Sequence, residues 1–276
     1  MSGYDPTGDG AKMSFAGDMS YGDYLGMDRL LDAQHPLSDA HDEMLFIIQH
    51  QTSELWMKLA LHELGTARDL LQRGRHEQVF KLLTRVARIF EQLNGAWDVL
   101  RTMTPSDYTT FRESLGASSG FQSHQYRLIE YLLGNRNTAM MKVHDHRPDL
   151  HALLEEELAK PTLYHVALRL LETHLGRTFD PAIFRLREPH KADDAVIEAW
   201  TIIYRAPDKR WTLYQLAEKL VDLEDYFRRW RFNHVTTVER VIGLKRGTGG
   251  TSGVSYLRRM LEVELFPELW HMRGGL

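Results

Sequence analysis

The strongest constraint on the fold is the spacing of apolar residues in two long segments of the chain. Residues 77–103 carry large apolar side chains in steps of three and four, at Leu83, Val86, Phe90, Leu93, Trp97 and Leu100. Residues 210–243 repeat these steps, at Leu216, Leu220, Leu223, Phe227, Trp230, His234, Val238 and Val241. Such steps form one apolar stripe along a helix, so each segment is predicted to be a long helix packed lengthwise against another.

The rest of the chain also has a helical pattern, without the alternation or the hairpin turns that indicate strands. Further helices are predicted at 38–72, after Thr104-Pro105, and at 121–133, 148–158, 161–175, 193–205 and 254–265. We therefore predict an all-α protein with a single helical-bundle domain that contains several long helices. Residues 1–17 are polar and rich in glycine, and we expect them to be disordered, with the domain occupying 18–276.

The composition excludes several classes of site and partner. The chain has 276 residues and no cysteine, which excludes disulfides, cysteine nucleophiles, thiolate-ligated haem and iron–sulfur clusters. With 34 Lys and Arg against 38 Asp and Glu, it lacks the basic surface that nucleic-acid binding requires. The sequence shows neither a signal peptide nor a stretch long enough to span a membrane, so we expect a cytoplasmic protein with no membrane partner.

His234 is the first candidate for chemistry, because it lies on the apolar stripe one turn after Trp230. A histidine on a buried face needs a partner for its ring nitrogens. Two interpretations are open at this point. The ring could be a core histidine that is hydrogen-bonded to a neighbouring side chain, or it could be the axial ligand of a haem, for which histidine is the natural choice in a chain without cysteine.

Two pairs of residues spaced four apart are further candidates, because such pairs share a helix face. Phe46 and His50 could line a pocket, although a buried histidine that only touches the next helix would show the same spacing. Tyr108 and Arg112 could receive a carboxylate, with Phe111 as an apolar wall, since arginine binds carboxylates through two hydrogen bonds. An ordinary exposed arginine remains the alternative there.

A run of nine residues at 245–253, KRGTGGTSG, precedes the last predicted helix. A glycine-rich run that leads into a helix presents backbone N–H groups to an anion, such as a substrate carboxylate or a haem propionate. The run lacks the lysine after the final glycine that a nucleotide-binding P-loop needs. A mobile linker is the alternative interpretation of this loop.

A non-haem iron site is the competing interpretation of two other motifs. His41 and Glu43 are two residues apart, as are His144 and His146. Such pairs suit iron when they lie on strands, but residues two apart on a helix point away from each other. The helical pattern of both segments therefore disfavours this kind of site.

Four segments together resemble the signature segments of the tryptophan 2,3-dioxygenase family, in the family's order and with similar spacing. They are FIIQHQTSELW at 46–56, SSGFQS at 118–123, WRFNH at 230–234 and KRGTGG at 245–250. The resemblance covers the chain from about residue 19 to its end. It implies an all-helical, homotetrameric enzyme that encloses a b-type haem, active as Fe(II). It also implies insertion of O₂ across the indole C2–C3 bond of L-tryptophan, which gives N-formyl-L-kynurenine.

The resemblance also implies a role for each matching residue of the central pocket. His234 matches the axial ligand of the haem iron, and His50 matches the distal histidine that contacts the indole N–H. Phe46 matches a wall of the indole pocket. Tyr108 and Arg112 match the receptor of the substrate carboxylate. Because the related indoleamine dioxygenases lack the distal histidine, His50 favours the tryptophan-specific branch.

The remaining matches lie at the edge of the pocket. Thr248 matches the loop residue that meets the amino acid head group of the substrate, and Ser119 matches a pocket residue on the haem side. Tyr21 and Tyr24 match residues that the family contributes to the pocket of a neighbouring subunit. Two other function classes remain open at this stage: a haem carrier or sensor without turnover, and a helical interaction protein that binds no haem.

Overall fold

The computed structural model describes residues 3–276, and within that range every regular element is a helix, as the sequence predicts. Twelve α-helices occur in this part of the chain, and short 3₁₀ turns lie between several of them. The α-helices are α1 (Tyr21–Leu25), α2 (Met27–Leu31), α3 (His41–Gln72), α4 (His76–Leu100), α5 (Pro105–Phe111), α6 (His124–Leu133), α7 (Pro148–Leu158), α8 (Leu163–Leu175), α9 (Asp194–Arg205), α10 (Trp211–Val241), α11 (Val254–Met260) and α12 (Pro267–His271). The 3₁₀ helices are Pro6–Asp9, Arg112–Leu115, Gly120–Gln122, Thr138–His144, Pro181–Phe184, Pro207–Lys209 and Met272–Gly275.

Three long helices form the frame of the molecule, and α4 packs lengthwise against both α3 and α10. The stripe predicted for α4 is buried along its whole length, from Leu83 to Leu100. The stripe of α10 is buried at Leu216, Leu220, Leu223 and Phe227. Each such side chain stabilises the fold by about 1.5–3 kcal/mol relative to an exposed one, so packing rather than helix propensity holds these helices in place.

The helix boundaries follow local capping, and several of them differ from the prediction by two or more residues. The first long helix begins at His41 rather than at Ser38, because the Glu43 carboxylate accepts hydrogen bonds from the N–H groups of Leu37 and Ser38 and holds a turn there. The predicted helix at 121–133 begins at His124, after a 3₁₀ turn. The predicted helix after Thr104 starts as expected, because Thr104 forms a capping box.

The last predicted helix ends at Met260, and a separate helix, α12, follows it. Between them the chain is anchored to α10 by the buried carboxylate of Glu224. This group accepts hydrogen bonds from the N–H groups of Leu265, at 2.7 Å, and Phe266, at 3.0 Å, and from the Trp270 indole, at 2.8 Å. Because these two backbone N–H groups donate to Glu224, they do not donate to carbonyl oxygens four residues earlier, as they would if α11 continued through residue 265.

The N-terminal segment packs little against the rest of the chain. Its side chains from Gly3 to Gly17 are exposed, apart from the half-buried Pro6, and one 3₁₀ turn, Pro6–Asp9, interrupts it. The first two of the residues predicted to be disordered, 1 and 2, lie outside the described residues. The predicted division at residue 17 stays a prediction. Among residues 3–276, no helix combines the length and the apolar character needed to cross a membrane.

Candidate functional site

His234 lies near the C-terminal end of α10 and faces α4. Its ring stacks on the Trp97 ring, with centroids 4.9 Å apart and planes 14° from parallel, and the Trp230 ring lies 5.7 Å away. The side chain is half-buried, and burial is the main cause that lowers the pKa of His234 to about 4, with the nearby charge of His50 as the second cause. The sequence left open a hydrogen-bonded core histidine, but the ring donates or accepts no hydrogen bond within residues 3–276.

His50 lies on α3, beside Phe46 one turn earlier, and the two ring centroids are 4.2 Å apart. Its Nδ1 atom is 2.7 Å from the carbonyl oxygen of Phe46. Because a carbonyl only accepts, Nδ1 carries the proton, and the neutral ring presents Nε2 as a bare acceptor. Burial lowers the pKa of His50, while the Phe46 carbonyl and the Glu54 charge partly oppose that shift. The ring is therefore neutral near pH 7.

An aromatic wall joins α3 to α5. The Phe46 ring lies 5.6 Å from Phe111 and 6.2 Å from Tyr108, and these two rings contact each other edge to face at 5.5 Å. Phe111 is fully buried and Tyr108 is nearly so. Burial raises the pKa of the Tyr108 hydroxyl, and Arg112 partly offsets this shift. The hydroxyl is thus protonated and available as a hydrogen-bond donor at neutral pH.

Arg112 follows α5 directly and lies between the aromatic wall and the glycine-rich loop. Its Nη2 atom donates to the carbonyl oxygen of Arg246, at 2.7 Å. Its Nε atom is buried and has no hydrogen-bond partner in the described chain. A buried N–H of a charged group without an acceptor costs free energy, so this guanidinium has donor capacity for an anionic group.

The loop at 245–253, for which the sequence left a mobile linker as one interpretation, packs against the segment around Ser118 and Ser119. The Thr248 hydroxyl donates to the carbonyl oxygen of Ser118. A Cβ atom on Gly249 would lie 2.9 Å from the Cβ of Ser119, closer than real side chains approach. Gly253 has φ +62°, and a Cβ there would lie 2.6 Å from the carbonyl oxygen of Lys245. Glycine at these two positions therefore lets the loop close tightly.

The structure brings together most of the residues that the sequence singles out. Phe46, His50, Tyr108 and Arg112 form one connected group, and Thr248 belongs to the loop that Arg112 contacts. His234 lies close enough to this group that the charge of His50 affects its pKa. Side chains from α3, α5 and α10 thus meet in one region of the molecule.

Other predicted site residues take different places. Tyr21 and Tyr24 lie on α1 at the surface, each 77% exposed. Ser119 caps the 3₁₀ turn Gly120–Gln122 and packs beneath Gly249. Of the competing iron motifs, Glu43 is engaged in the turn before α3. No group of three or more His, Asp or Glu side chains in residues 3–276 could hold a metal ion.

Trp97 is a site residue that the sequence analysis missed, since its place on the α4 stripe indicates only packing. The ring stacks on His234, and its Nε1 atom is buried without a hydrogen-bond partner in residues 3–276. The sequence carries one usable signal, which is that Trp97 and His234 both lie on the stripes that bring α4 and α10 together. The pairing of these two positions needs the register of the helices, which the spacing does not give.

The donor set around this space fits a metal-centred cofactor that takes one ligand from the protein. His234 offers a neutral ring without a competing hydrogen bond. Trp97 Nε1 and Arg112 Nε are both buried donors without partners. A metal held by a single histidine needs its other ligands from outside the chain, and a haem supplies four of them.

Comparison with known proteins gives a consistent result. A family model described as tryptophan 2,3-dioxygenase matches residues 7–182 and 185–276. A protein named tryptophan 2,3-dioxygenase from Ruegeria pomeroyi is 74% identical over 274 residues, covering 99% of each chain. Proteins of the same name from Bradyrhizobium diazoefficiens and Bordetella pertussis are 65% and 59% identical, covering 99% and 96% of this chain and 98% and 94% of their own.

Proposed function

Because the chain belongs to the tryptophan 2,3-dioxygenase family, we propose that the space between His50 and His234 is its catalytic pocket. The chain is a dioxygenase that oxidises tryptophan to N-formylkynurenine. One observation carries the assignment of the pocket: two neutral histidines on different helices lie close enough to interact electrostatically, and each has a ring nitrogen without a hydrogen bond to residues 3–276. A nitrogen of His234 is therefore free to bind a metal, and Nε2 of His50 is free to bind a substrate.

The family is haem-dependent, and the residues around His234 suit a b-type haem with this histidine as its axial ligand. The low pKa of His234 supports this role, because a ligand nitrogen must be unprotonated. A haem bound there as Fe(II) would supply the binding and activation of O₂. Ser119, at the base of the loop, is the proposed pocket residue on the haem side.

The substrate is a zwitterion with an aromatic ring, so it needs an anion receptor beside an apolar slot. Arg112, with its unpartnered Nε, and the protonated Tyr108 hydroxyl are suited to the carboxylate. Phe46 gives the slot its aromatic wall. Thr248 lies on the loop that Arg112 contacts. In the proposal, its hydroxyl gives up the hydrogen bond to the Ser118 carbonyl and bonds to the head group of the substrate instead.

His50 orients the indole ring in this proposal. Its Nε2 atom accepts from the indole N–H, because Nδ1 is already committed to the Phe46 carbonyl. A hydrogen bond at the indole N–H and an ion pair at the carboxylate hold the indole ring in one orientation. Holding the reacting groups in one orientation lowers the activation free energy of the reaction. The closed loop keeps water from the reacting ring.

The assembly and location are proposals that rest on the family. We propose a homotetramer in which Tyr21 and Tyr24, which are exposed in the single chain, complete the pocket of a neighbouring subunit. We also keep the cytoplasmic location that the sequence predicts. L-Tryptophan and O₂ are the partners of the reaction.

The test of the pocket compares Arg112→Met with Arg147→Met, which alters an exposed arginine paired with Asp149. Each protein is loaded with haem, reduced and supplied with L-tryptophan in air, while O₂ uptake and N-formylkynurenine are measured. Loss of a charged hydrogen bond of about 1.5–3 kcal/mol predicts that Arg112→Met raises KM about ten- to a hundredfold, with haem content unchanged. Binding of tryptamine, which has no carboxylate, should change little.

Each other outcome has a definite meaning. An unchanged KM would show that the carboxylate binds elsewhere. Haem binding without product in the parent protein would indicate a sensor. Failure to bind haem would overturn the assignment of His234, and with it the rest of the pocket. D-tryptophan and indole serve as controls for selection at the head group.

A further inference from the structure

The helix α4 contacts the His234 segment of α10 at two points that lie one turn apart. Trp97 stacks on the His234 ring, and Arg101, four residues later on the same helix face, reaches the backbone and hydroxyl groups around it. The proposed function gives Arg101 no role, and Trp97 entered the description of the site only through its stacking on His234 and its unpartnered Nε1 atom. We call this pair of contacts the α4 clamp.

The stacking by Trp97 acts on the ring of His234 itself. A metal-binding histidine is commonly oriented by a hydrogen bond from its second ring nitrogen to a carboxylate, a carbonyl or water. No residue from 3 to 276 supplies that bond to His234, so what these residues contribute against rotation of the ring about its Cβ–Cγ bond is packing. Trp97 is nearly buried and lies 14° from parallel to the ring, which makes it the flat surface that restrains this rotation. Trp230 supports the ring from its own helix, at a tilt of 47°.

Arg101 acts on the backbone that carries the ring. Its Nε atom donates to the Thr237 hydroxyl, at 2.8 Å, and its Nη2 atom donates to the carbonyl oxygen of Asn233, at 3.2 Å, and to the Thr236 hydroxyl. The Asn233 carbonyl belongs to the peptide bond that leads into His234. One guanidinium thus fixes the helical turn on both sides of the histidine, and it restricts sliding of α4 along α10 that would separate Trp97 from the ring.

We propose that Trp97 and Arg101 are positioning residues that set the plane of the His234 ring and thereby the strength and uniformity of its bond to the metal. This inference rests on the proposed role of His234 as the axial ligand. Trp97 restrains the ring directly, and Arg101 keeps the backbone in the register that the stacking requires.

The experiment measures the iron–histidine stretching band of the reduced, haem-loaded protein by resonance Raman spectroscopy. It also measures the rate at which haem transfers to an excess of an apo-globin acceptor. The variants are Trp97→Leu, which removes the aromatic face, Trp97→Phe, which keeps one, and Arg101→Met. The matched control is Trp211→Leu, because Trp211 also stacks on a neighbouring ring, Tyr214, at 5.7 Å but lies at the far end of α10.

We expect Trp97→Leu to shift and broaden the band and to speed haem transfer about two- to twelvefold, since an aromatic pair contributes about 0.5–1.5 kcal/mol beyond burial. Trp97→Phe should restore most of the parent's band, and Arg101→Met should broaden the band without a large shift. Trp211→Leu should leave both readouts unchanged even if it lowers the melting temperature.

An unchanged band and transfer rate in folded Trp97→Leu would overturn the inference. If Trp97→Leu does not fold, Arg101→Met decides, because a band identical to the parent's contradicts the clamp and a broadened one supports it. His234→Ala separates this inference from the proposed function. If that variant keeps the iron–histidine band, the ligand assignment itself fails; if it loses the band while the Trp97 and Arg101 variants match the parent, only the clamp fails.

Discussion

The pocket has two walls of different construction. The helical wall consists of side chains on α3, α4 and α10, including His50, Trp97 and His234, and the long stripes of buried residues hold it in place. The loop wall consists of residues 245–253, and two side-chain hydrogen bonds hold it to the segments beneath, from Arg112 to Arg246 and from Thr248 to Ser118.

The difference in construction separates two tasks. Moving the helical wall would expose several fully buried side chains, each at a cost of about 1.5–3 kcal/mol. Lifting the loop breaks two hydrogen bonds, each contributing about 0.5–1.5 kcal/mol, or somewhat more where the donor is charged. The helical wall is therefore suited to holding a cofactor permanently, and the loop wall to selecting a substrate that enters and leaves. Mutations in the two walls should affect different measurements.

The largest expected effect is in the helical wall. His234→Ala removes the proposed axial ligand, and haem affinity should fall more than about a hundredfold, since loss of an outer partner of a ligand alone costs 10–100-fold. The helical circular dichroism spectrum should remain. His174→Ala is the control, because this histidine also lies on a helix, α8, but is exposed. If His234→Ala kept as much haem as the control, the helical wall would not be what holds the cofactor.

The next effect is in the loop wall. Gly249→Ala places a methyl group 2.9 Å from the Ser119 Cβ, so the loop should lift. Overpacking costs about 1–3 kcal/mol, which predicts a KM for L-tryptophan raised about five- to a hundredfold with haem content unchanged. Gly120→Ala is the control, because nothing lies within 4 Å of a Cβ there. Equal KM values in the two variants would mean that the closed loop does not contribute to binding.

A smaller effect is expected from one hydroxyl on the loop. Thr248→Val keeps the shape of the side chain but loses the hydrogen bond to Ser118 and its proposed bond to the substrate. The preference for L- over D-tryptophan, measured as a ratio of kcat/KM values, should fall about two- to twelvefold. Thr173→Val serves as the control, since that exposed hydroxyl bonds only to the carbonyl of Arg169. An unaltered ratio would assign selection of the enantiomer to other residues.

The smallest expected effect is that of pH on KM for L-tryptophan, which should hardly change near neutrality. Burial holds the pKa of His50 below its ordinary value of about 6.5, so the neutral ring predominates at and above neutral pH and KM should be nearly constant there. KM should rise only when the pH falls through the lowered pKa. Below about pH 6.5 the unfolded chain binds more protons than the folded one at this site, so the free energy of unfolding also decreases with falling pH. An inflection above pH 6.5 that is absent from His50→Gln would show that the ring is not buried as described.

The sequence predicted the helical wall better than the loop wall, for a physical reason. Stripes such as that from Leu83 to Leu100 repeat a local period, and a local period is visible in any single helix. The partners of the His234 and Trp97 rings, by contrast, depend on which residues of another helix lie beside them, and a local period does not show this. The helix α3 begins three residues later than predicted, because Glu43 bonds to the turn before it. The spacing of apolar residues does not reveal that bond.

The resemblance to a family supplied roles for site residues, such as Arg112, for which the spacing left two interpretations open. The geometry adds reasons for some of those roles, above all the unpartnered Nε of Arg112 and the committed Nδ1 of His50. The order of the loop was not predictable from its composition. Glycine is as typical of a mobile linker as of a tight closure, and only the close approach of Gly249 to Ser119 distinguishes the two.

Arg112 belongs to both the carboxylate receptor and the attachment of the loop, and this double use has a thermodynamic consequence. Its Nη2 atom holds the Arg246 carbonyl while its Nε atom is unpartnered. A carboxylate that binds the guanidinium fixes the same group that holds the loop, so the two equilibria are coupled. By linkage, the factor by which the substrate favours loop closure equals the factor by which closure tightens substrate binding. Recognition of the head group and sealing of the cavity are then one cooperative transition with a single coupling free energy.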